Sequence, residues 1–532
     1  MILPGAARAG LRLAIVVFAS LALLPIVYML ATSFVAEGRL NFDAYRDVLV
    51  EKRQWSLLGT TVAMGLLGTG GAILLGLPFA FLIARTEFPL RRLFSTLYIV
   101  PLLTPPLILA WGWTRTPDWF VLSDLKGLVG CAFVFALCYY PFIVLLAARA
   151  FRSIDAGIEE AARLAGGRWR TILAIQTRLA LPAILSGALI SFIFIISDFS
   201  LPDFVSTLGP KQNVYAGEIF FRSKRLESTS QATAASIPLV LLTVGALLLI
   251  FRLRGHRSSA TVSGDFRPPA RHRLGAKGWL ATLYCSFVIG VSVLAPFGSL
   301  VAQARGIDAF RKAITNPGAR SDILASLGTS AAAATCMTIL GFLLAYTVVR
   351  LAREGKRRRS AWLEGISILP LAIPALMIGI GFIRIWNRPH PFFDTVYTTQ
   401  WMLFLVLIAR YIPFAVIALA AGLRQIDANV EEAGALVGAP FRTRITKLLF
   451  PLVRSSAFAA WILTFIFSMR ELDTMVLLPA GGDSLAFRVF NEIHFGRDPE
   501  VAAICMIMVF LISLPLVVYC LLTAKRLDPL AP

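Results

Sequence analysis

About twelve apolar stretches, each long enough to cross a membrane as a helix, restrict what this chain can fold into. A bilayer core of roughly 30 Å requires about 20 apolar residues per helix, because backbone polar groups inside lipid must be paired within the segment. The composition agrees, since 57% of the residues are apolar and only 15% are charged. We therefore predict an all-α polytopic membrane protein with about 12 transmembrane helices. The approximate spans are 11–35, 55–84, 92–114, 128–150, 179–200, 232–252, 278–303, 324–349, 361–386, 399–422, 450–469 and 501–523.

Positive charge collects on one side of this predicted membrane arrangement. The formal net charge is +21. With the N-terminus placed in the cytoplasm, the cytoplasmic segments contain about 30 Lys and Arg against about 11 Asp and Glu. Basic residues in cytoplasmic loops, facing anionic membrane lipid, are typical of multi-pass membrane proteins. The distribution predicts a multi-pass membrane protein with both termini in the cytoplasm, and it argues against nucleic acid as a partner.

The two halves of the sequence resemble each other. The stretch "YPFIVLLAARAFRSID" from Tyr140 aligns without a gap on "IPFAVIALAAGLRQID" from Ile412. Between the halves lies a polar segment at 254–277 that contains two adjacent prolines and has no helical periodicity. We predict two parallel six-helix repeats, residues 1–253 and 278–532, joined by a cytoplasmic linker, as expected from duplication and fusion of one subunit.

Each repeat contains one polar segment between two apolar spans, "IDAGIEEAARLAGGRWRT" from Ile154 and "IDANVEEAGALVGAPFRT" from Ile426. Each segment predicts a short helix with paired glutamates and a partly apolar face, which a glycine separates from a second short helix. In the second copy, Pro440 occupies the first turn of that second helix. Such an element fits the groove of a partner protein. An ordinary amphipathic surface helix, repeated by descent, is the alternative interpretation.

Two short stretches within these segments carry a resemblance to a known family. "EAARLAG" at 160–166 and "EAGALVG" at 432–438, each followed by an apolar residue and a proline at Pro182 and Pro451, resemble the EAA loop of binding-protein-dependent ABC importer permeases. In that family the loop forms coupling helices that dock into the nucleotide-binding subunits. The resemblance implies the fold of a type I ABC importer permease, MetI-like, and a location in the bacterial inner membrane. It covers nearly the whole chain.

The two copies depart from each other and from the family pattern. Pro451 follows Gly438 by thirteen residues, the usual spacing, whereas Pro182 follows Gly166 by sixteen, and Gly434 replaces the second alanine of the motif. The equivalence of the two docking surfaces is therefore left open. The residues that the resemblance assigns to ATPase coupling are Glu159, Glu160, Ala161, Ala162, Gly166, Glu431, Glu432, Ala433 and Gly438.

The fused layout with two loops further resembles the ferric-iron importer permeases of this superfamily. The stretch "MRELDTMVLLPAGGDSLAFRVFNEI" from Met469 is similar to the C-terminal half of that type. The resemblance implies import from periplasm to cytoplasm, driven by two copies of an ABC ATPase subunit that bind ATP and Mg, with a periplasmic binding protein that delivers the cargo. Thiamine, polyamine, sulfate and phosphonate remain alternative cargoes.

Several catalytic patterns are missing from the sequence. No G-x-x-x-x-G-K-[ST] phosphate loop is present, so ATP must bind to another polypeptide. Neither a metalloprotease pattern, a hydrolase elbow nor a metal-spaced Cys/His cluster occurs, so we assign no catalytic residue, cofactor or metal. A twelve-span secondary transporter is the alternative function. Such carriers usually place ionisable residues deep in the bundle, and the apolar spans here are almost free of them.

Charges near the outer ends of the fifth and eleventh spans have two interpretations. They either lie at the membrane interface, where charge is tolerated, or line the mouth of the transport pathway. The prolines of "PLLTPP" from Pro101 and "PLAIPA" from Pro370 predict kinks, with gating as the functional alternative. The candidate pathway residues are Asp198, Asp203, Arg470, Glu471 and Asp473.

Overall fold

Helices make up nearly all of the structure, a computed structural model. It describes residues 5–36, 39–40, 42–114, 126–166, 169–224, 229–255, 267, 269–495 and 498–522, so most of the predicted linker lies outside the described residues. Within this part of the chain, ten helices are long and apolar enough to cross a membrane, or up to twelve spans if each of two bent pairs counts as one. This confirms the all-α polytopic fold. The ten helices are Arg8–Ser33, Lys52–Arg85, Gly127–Arg152, Leu173–Ser197, Ser230–Leu253, Gly275–Ala304, Pro317–Arg353, Gln400–Arg424, Phe441–Met469 and Pro499–Tyr519.

The predicted spans 92–114 and 361–386 are each broken into two helices. The bend between the halves is 99° in the first and 96° in the second. The predicted bends therefore occur at these prolines, but each is a break close to a right angle and not a plain kink. The helices on the two sides of these breaks are Arg91–Leu103 with Pro106–Thr114, and Arg357–Ala372 with Ala375–Trp386.

Both breaks have the same backbone cause. Thr104 has φ −93° and ψ 127°, and Ile373 has φ −91° and ψ 126°. Each residue precedes a proline, Pro105 or Pro374, whose ring disfavours the helical conformation in the residue before it. Proline also has no N–H to continue the helical hydrogen bonds. The chain therefore turns sharply at the same place in each repeat.

The residues pack into two compact units. The N-repeat unit comprises residues 51–218, 241–312 and 492–532, and the C-repeat unit comprises residues 1–50, 219–240 and 313–491. Each unit therefore includes the first helix of the other sequence repeat. The boundaries 1–253, 254–277 and 278–532 stay a prediction of where the sequence repeats and the linker begin and end. The two packing units do not coincide with these sequence repeats.

In the N-repeat unit, the helix Lys52–Arg85 packs along Gly127–Arg152 and Leu173–Ser197. Close approach depends on small residues: a Cβ on Gly76 would lie 2.9 Å from the carbonyl oxygen of Tyr140. The C-repeat unit repeats this arrangement with Pro317–Arg353, Gln400–Arg424 and Phe441–Met469. There the close approaches involve Gly341 against Ala415 and Gly422 against Ser456.

The first helix of each repeat is held in its unit by a glycine against a proline. In the C-repeat unit, a Cβ on Gly381 would lie 2.6 Å from the carbonyl oxygen of Pro25. In the N-repeat unit, a Cβ on Gly112 would lie 2.7 Å from the carbonyl oxygen of Pro296. These distances are shorter than real carbon–oxygen contacts, so each site requires glycine. The two contacts occupy corresponding places in the repeats.

Shorter elements connect the spans. Strands pair antiparallel at Val35–Ala36 with Arg39–Leu40, and parallel at Thr86–Glu87 with His272–Arg273. Three π-helical segments lie within spans, at Ala19–Leu23, Gly290–Leu294 and Arg444–Leu449. The remaining short helices of at least seven residues are Asp43–Val50, Ala156–Leu164, Ser200–Leu208, Tyr215–Ser223, Ile307–Thr315, Pro391–Tyr397, Ala428–Leu436 and Leu485–Phe495.

We expect Gly112→Ala and Gly381→Ala to lower the thermal unfolding midpoint of the purified protein. The added methyl group overpacks a helix contact, at a cost of about 1–3 kcal/mol. Gly298→Ala is the matched control, because its Cβ enters open space on the same helix as Pro296. Midpoints for Gly112→Ala and Gly381→Ala that equal that of Gly298→Ala would contradict the close packing.

Candidate functional site

The first polar segment forms a helix at Ala156–Leu164, named here loop helix 1. Asp155 caps it, since its Oδ1 accepts a hydrogen bond from the N–H of Gly157 at 2.7 Å. The helix ends before Gly166, which has φ +75°. This left-handed conformation is the usual glycine stop of a helix. The predicted short helix and its glycine break are confirmed here.

The second polar segment forms the same element at Ala428–Leu436, named here loop helix 2. Asp427 caps it by accepting a hydrogen bond from the N–H of Asn429 at 2.9 Å. Gly438 has φ +76°, with open space around the position of a Cβ. The structure places a left-handed backbone at both glycines and crowding at neither.

The chain after each glycine differs from the prediction. A second short helix was expected, but the next helix is the following membrane span, at Trp169–Ser197 in the first copy and Phe441–Met469 in the second. In the second copy, the three-residue helix Phe441–Thr443 runs through the π-helical segment Arg444–Leu449 into Phe450–Met469, so the predicted second helix is the start of that span. Gly166 and Gly438 therefore each lie between a loop helix and the following span.

Glu159 of loop helix 1 points into the protein and is 9% exposed. Its carboxylate forms an ion pair with Arg85, at the end of the span Lys52–Arg85, and accepts a hydrogen bond from Gln176 Nε2 at 3.2 Å. Arg163 Nη2 contacts the other oxygen at 2.6 Å, and His272 Nε2 lies 3.2 Å from it. A buried carboxylate is tolerated only with such partners, so these groups fix the inner face of the helix.

Glu431 occupies the corresponding position in loop helix 2 and is also 9% exposed. Tyr346, on the span Pro317–Arg353, donates its hydroxyl hydrogen to Glu431 Oε1 at 2.6 Å. Gly434 lies on the same helix, and a Cβ there would be 3.1 Å from Leu448 Cδ2. This contact is a structural reason for the glycine that interrupts the second copy of the motif. Loop helix 2 is thus held against its own neighbouring spans.

The exposed faces carry the second glutamate of each pair together with apolar residues. Glu160, Ala161, Glu432 and Ala433 are exposed, whereas Ala162 is half-buried. At the ends of the helices, Leu164 is 90% exposed, Leu436 is 88% exposed and Val437 is 83% exposed. Glu159 and Glu431 instead face inward and are buried as anchors against this chain. Their role in ATPase coupling stays a prediction. Exposed leucines at the end of a short helix are suited to a partner's apolar groove.

The same packing shifts the pKa values of two groups beside loop helix 1. The N–H of Arg267 donates to Asp155 Oδ2 at 2.8 Å, and this bond, followed by that from Gly157, lowers the pKa of the Asp155 carboxyl. Burial lowers the pKa of the His272 imidazole; Glu159 opposes that shift, and nearby arginines add to it. His272 is therefore neutral near pH 7, and Asp155 is ionised.

The candidate pathway residues of the N-repeat unit are Asp198 and Asp203. Asp198 is buried, and its Oδ1 accepts hydrogen bonds at 3.0 Å from Ser200 Oγ and from the N–H of Leu201. It therefore caps the helix that begins at Ser200. Asp203 is half-buried, with His494 Nε2 at 3.9 Å, and burial raises the pKa of its carboxyl. Only Asp203 keeps substantial access to solvent.

The candidate pathway residues of the C-repeat unit, Arg470, Glu471 and Asp473, are all buried. Glu471 Oε2 pairs with Arg410 Nε at 3.0 Å and accepts a hydrogen bond from the hydroxyl of Tyr411. Glu471 Oε1 accepts from the N–H and the hydroxyl of Thr474, at 2.9 and 2.8 Å. These charges follow the end of the helix Phe450–Met469 and are buried there. The interfacial and the pathway interpretations both stay predictions.

Sequence reasoning missed the partners of the buried charges. Arg410 lies inside the apolar stretch "LVLIARYIPF", where a lone arginine is itself a signal for a buried acidic partner. Arg85 and Tyr346 carried no comparable signal, because a basic residue at the end of a span and a tyrosine within one are common. Their pairing with the loop glutamates depends on long-range packing.

Comparison with known proteins agrees with this architecture. Residues 72–259 and 337–530 each match the profile of the family described as "Binding-protein-dependent transport system inner membrane component". The ferric transport system permease protein FbpB of Actinobacillus pleuropneumoniae is 26% identical over 460 residues, which cover 79% of this chain and 64% of that protein. The Fe(3+)-transport system permease protein FbpB 2 of Haemophilus influenzae is 23% identical over 487 residues, covering 88% of this chain and 90% of that protein.

A shorter similarity extends to another transporter. The molybdenum transport system permease protein ModB of Escherichia coli is 30% identical over 144 residues, which cover 24% of this chain and 63% of that protein. The family profile matches twice and covers more than half of the chain, once in each predicted repeat. The chain therefore belongs to the family of inner-membrane components of binding-protein-dependent transport systems.

Proposed function

We propose that this chain is the membrane-spanning permease of an ABC importer, which moves cargo from periplasm to cytoplasm with ATP hydrolysed on two copies of a separate ATPase subunit. ATP and Mg bind to that partner, and this chain is not an enzyme. The supporting observation is the pair of loop helices, each with an aspartate cap, a buried glutamate, an exposed leucine and a left-handed glycine. Membership of this family argues against the alternative function, a secondary transporter.

The exposed ends of the loop helices are the contact surface for the ATPase. Leu164, Leu436 and Val437 project from the fold with little cover from this chain. Burying such side chains in a groove contributes about 1.5–3 kcal/mol each. Both loops then lie in the cytoplasm, as do both termini, a placement that the concentration of basic residues on that side supports.

Each loop helix has two rigid links through which movement reaches the membrane spans. One is the buried glutamate, bound to Arg85 or to Tyr346 on a neighbouring span. The other is the backbone itself, which passes through Gly166 or Gly438 into the next span. When ATP closes the two ATPase subunits, the loop helices are drawn together and the spans follow. The pathway then opens to the periplasm, and hydrolysis returns it to the inward-facing state.

Ferric iron is the cargo we propose. Relatives with ferric or Fe(3+) transport in their names align over 79% and 88% of this chain. The relative named for molybdenum aligns over only 24% of it, so that similarity is limited to one segment. A periplasmic binding protein delivers the cargo and largely determines its identity, with thiamine, polyamine, sulfate and phosphonate as the other cargo classes to be tested.

The buried charges near Glu471 form part of the transport pathway in this proposal. Inside the C-repeat unit, the carboxylate of Glu471 contacts the guanidinium of Arg410 and the phenol of Tyr411. Buried ionisable groups in membrane helices are costly and usually functional. Asp198 and Asp203 are the corresponding candidates of the N-repeat unit.

The coupling role is tested by Gly166→Val and Gly438→Val. A β-branched residue at positive φ is strained by about 1–3 kcal/mol, which changes the angle between each loop helix and its span. We expect binding-protein-stimulated ATP hydrolysis and iron uptake to fall at least about fivefold, with normal membrane insertion. The control is Gly245→Val, at a helical glycine with open space and ordinary φ. Wild-type stimulation and uptake in both loop variants would overturn the docking role.

The pathway role is tested by Glu471→Gln alone and together with Arg410→Met. The single change leaves a buried guanidinium unpaired, so we expect it to lower the unfolding midpoint by the equivalent of about 3–5 kcal/mol. The double variant removes both charges and keeps an acceptor for Thr474, so its stability recovers. Transport stays low in both variants if the charges serve the pathway. Full transport by the stable double variant would show that the pair is structural only.

A further inference from the structure

A segment between the two repeats lies against loop helix 1. Arg267 donates its N–H to Asp155 Oδ2 at 2.8 Å and accepts, at its carbonyl oxygen, a hydrogen bond from the N–H of Ala156 at 3.0 Å. Its side chain reaches along the helix, where Nη2 contacts Glu160 Oε2 at 3.0 Å. We name Arg267 together with residues 269–273 the linker strap. Two backbone bonds and one ion pair hold its first residue to the start of the helix.

The other end of the linker strap is also fixed. His272 and Arg273 pair with Thr86 and Glu87 as two short parallel strands. His272 Nε2 lies 3.2 Å from Glu159 Oε1, on the inner side of the helix. The strap is therefore attached to loop helix 1 on its outer face by Arg267 and on its inner face by His272. These contacts form entirely within the N-repeat unit.

The linker strap changes the charge that loop helix 1 presents. Glu160 is exposed, but Arg267 neutralises it. Arg163, also exposed, offsets the charge of Glu159 from the same helix. The N–H bond from the strap holds the Asp155 carboxyl in its ionised form, as the lowered pKa of that group indicates. The outer surface of loop helix 1 therefore combines balanced charges with the apolar side chain of Leu164.

Loop helix 2 presents a different surface. Glu432 is exposed and, among the residues that the structure describes, has no hydrogen-bonding or ion-pair partner. Ala435 stands where the first copy has Arg163. Asp427 makes its cap with Asn429, and no described segment crosses it as Arg267 crosses Asp155. Glu432 is therefore an exposed carboxylate near Leu436 that no described cation neutralises as Arg267 neutralises Glu160.

We propose that the two loop helices dock the ATPase through electrostatically different surfaces: an acidic one at Glu432, which fits a basic groove, and a charge-balanced one at Glu160, which the linker strap completes. The inference rests on the proposed function of the loops. The contact at loop helix 2 is charge-assisted and weakens with salt. The contact at loop helix 1 depends mainly on apolar burial around Leu164 and is less sensitive to salt. If both ATPase copies are identical, one basic groove meets two unlike partners.

The experiment measures ATPase retention by the purified permease–ATPase complex as salt is raised from low to high concentration. Glu432→Gln and Glu160→Gln form a matched pair at the same position of the two helices. We expect Glu432→Gln to reduce affinity about fivefold at low salt, the size expected for one exposed charge pair. It also flattens the salt dependence. Glu160→Gln changes affinity less than about twofold. Equal losses in the two variants would overturn the inference.

The role of the strap is tested by Arg267→Ala. This change keeps both backbone bonds to loop helix 1 but leaves Glu160 without its cation, so loop helix 1 becomes acidic. We expect ATPase affinity to rise about fivefold at low salt and its salt dependence to steepen. Adding Glu160→Gln cancels both effects. Reduced affinity in Arg267→Ala, with no recovery in the double variant, would mean that the strap acts only as structural support and would overturn the inference.

Failure of the proposed function gives a separate result. Leu164→Asp and Leu436→Asp place a charge at the centre of each proposed apolar contact, so each is expected to release the ATPase. If both retain it at the wild-type level, docking by the loops is wrong. If both release it while Glu432→Gln and Glu160→Gln behave alike, docking stands and only the electrostatic difference is wrong.

Discussion

A buried carboxylate on each loop helix is the interaction on which the rest of the account depends. Glu159 and Glu431 lose hydration in the fold, and each gains a strong donor on a neighbouring span, Arg85 or Tyr346. Removing water from a carboxylate costs several kcal/mol unless such donors replace it, so the loop helices have one stable orientation. That orientation leaves the leucines exposed and turns two short surface helices into rigid attachments to the membrane spans.

Contacts at prolines and glycines likewise determine how the membrane spans pack. One span of each repeat has a near-right-angle break at a proline, whose ring disfavours the helical conformation in the residue before it. Glycine permits the first helix of the other repeat to pack close by, at Gly112 and Gly381. Each packing unit therefore combines segments from both sequence repeats. Within each unit, displacement of a loop helix is transmitted through close packing, since interiors of this density do not absorb it.

Local patterns in the sequence predicted most of this fold and part of the site. The spans follow from apolar length, and the helix stops at Gly166 and Gly438 follow from glycine chemistry, because both depend on neighbouring residues alone. The direction of Glu159 could not be predicted, since an EE pair has the same local preference facing in or out. The strap at Arg267 depends on a contact between distant segments, and the sharp breaks at Pro105 and Pro374 depend on surrounding packing to determine their angle.

The most direct test of the account is the distance between the two loop helices during the ATP cycle. Spin labels on Ser153→Cys and Gln425→Cys, exposed residues just before the two loop helices, in a background without other reactive cysteines, allow that distance to be measured by pulsed electron resonance in the complex with ATPase and binding protein. The account predicts a shorter distance when ATP is trapped than in the nucleotide-free complex, because the attached helices are drawn together. Identical distance distributions in the two states, in a complex that hydrolyses ATP, would contradict it.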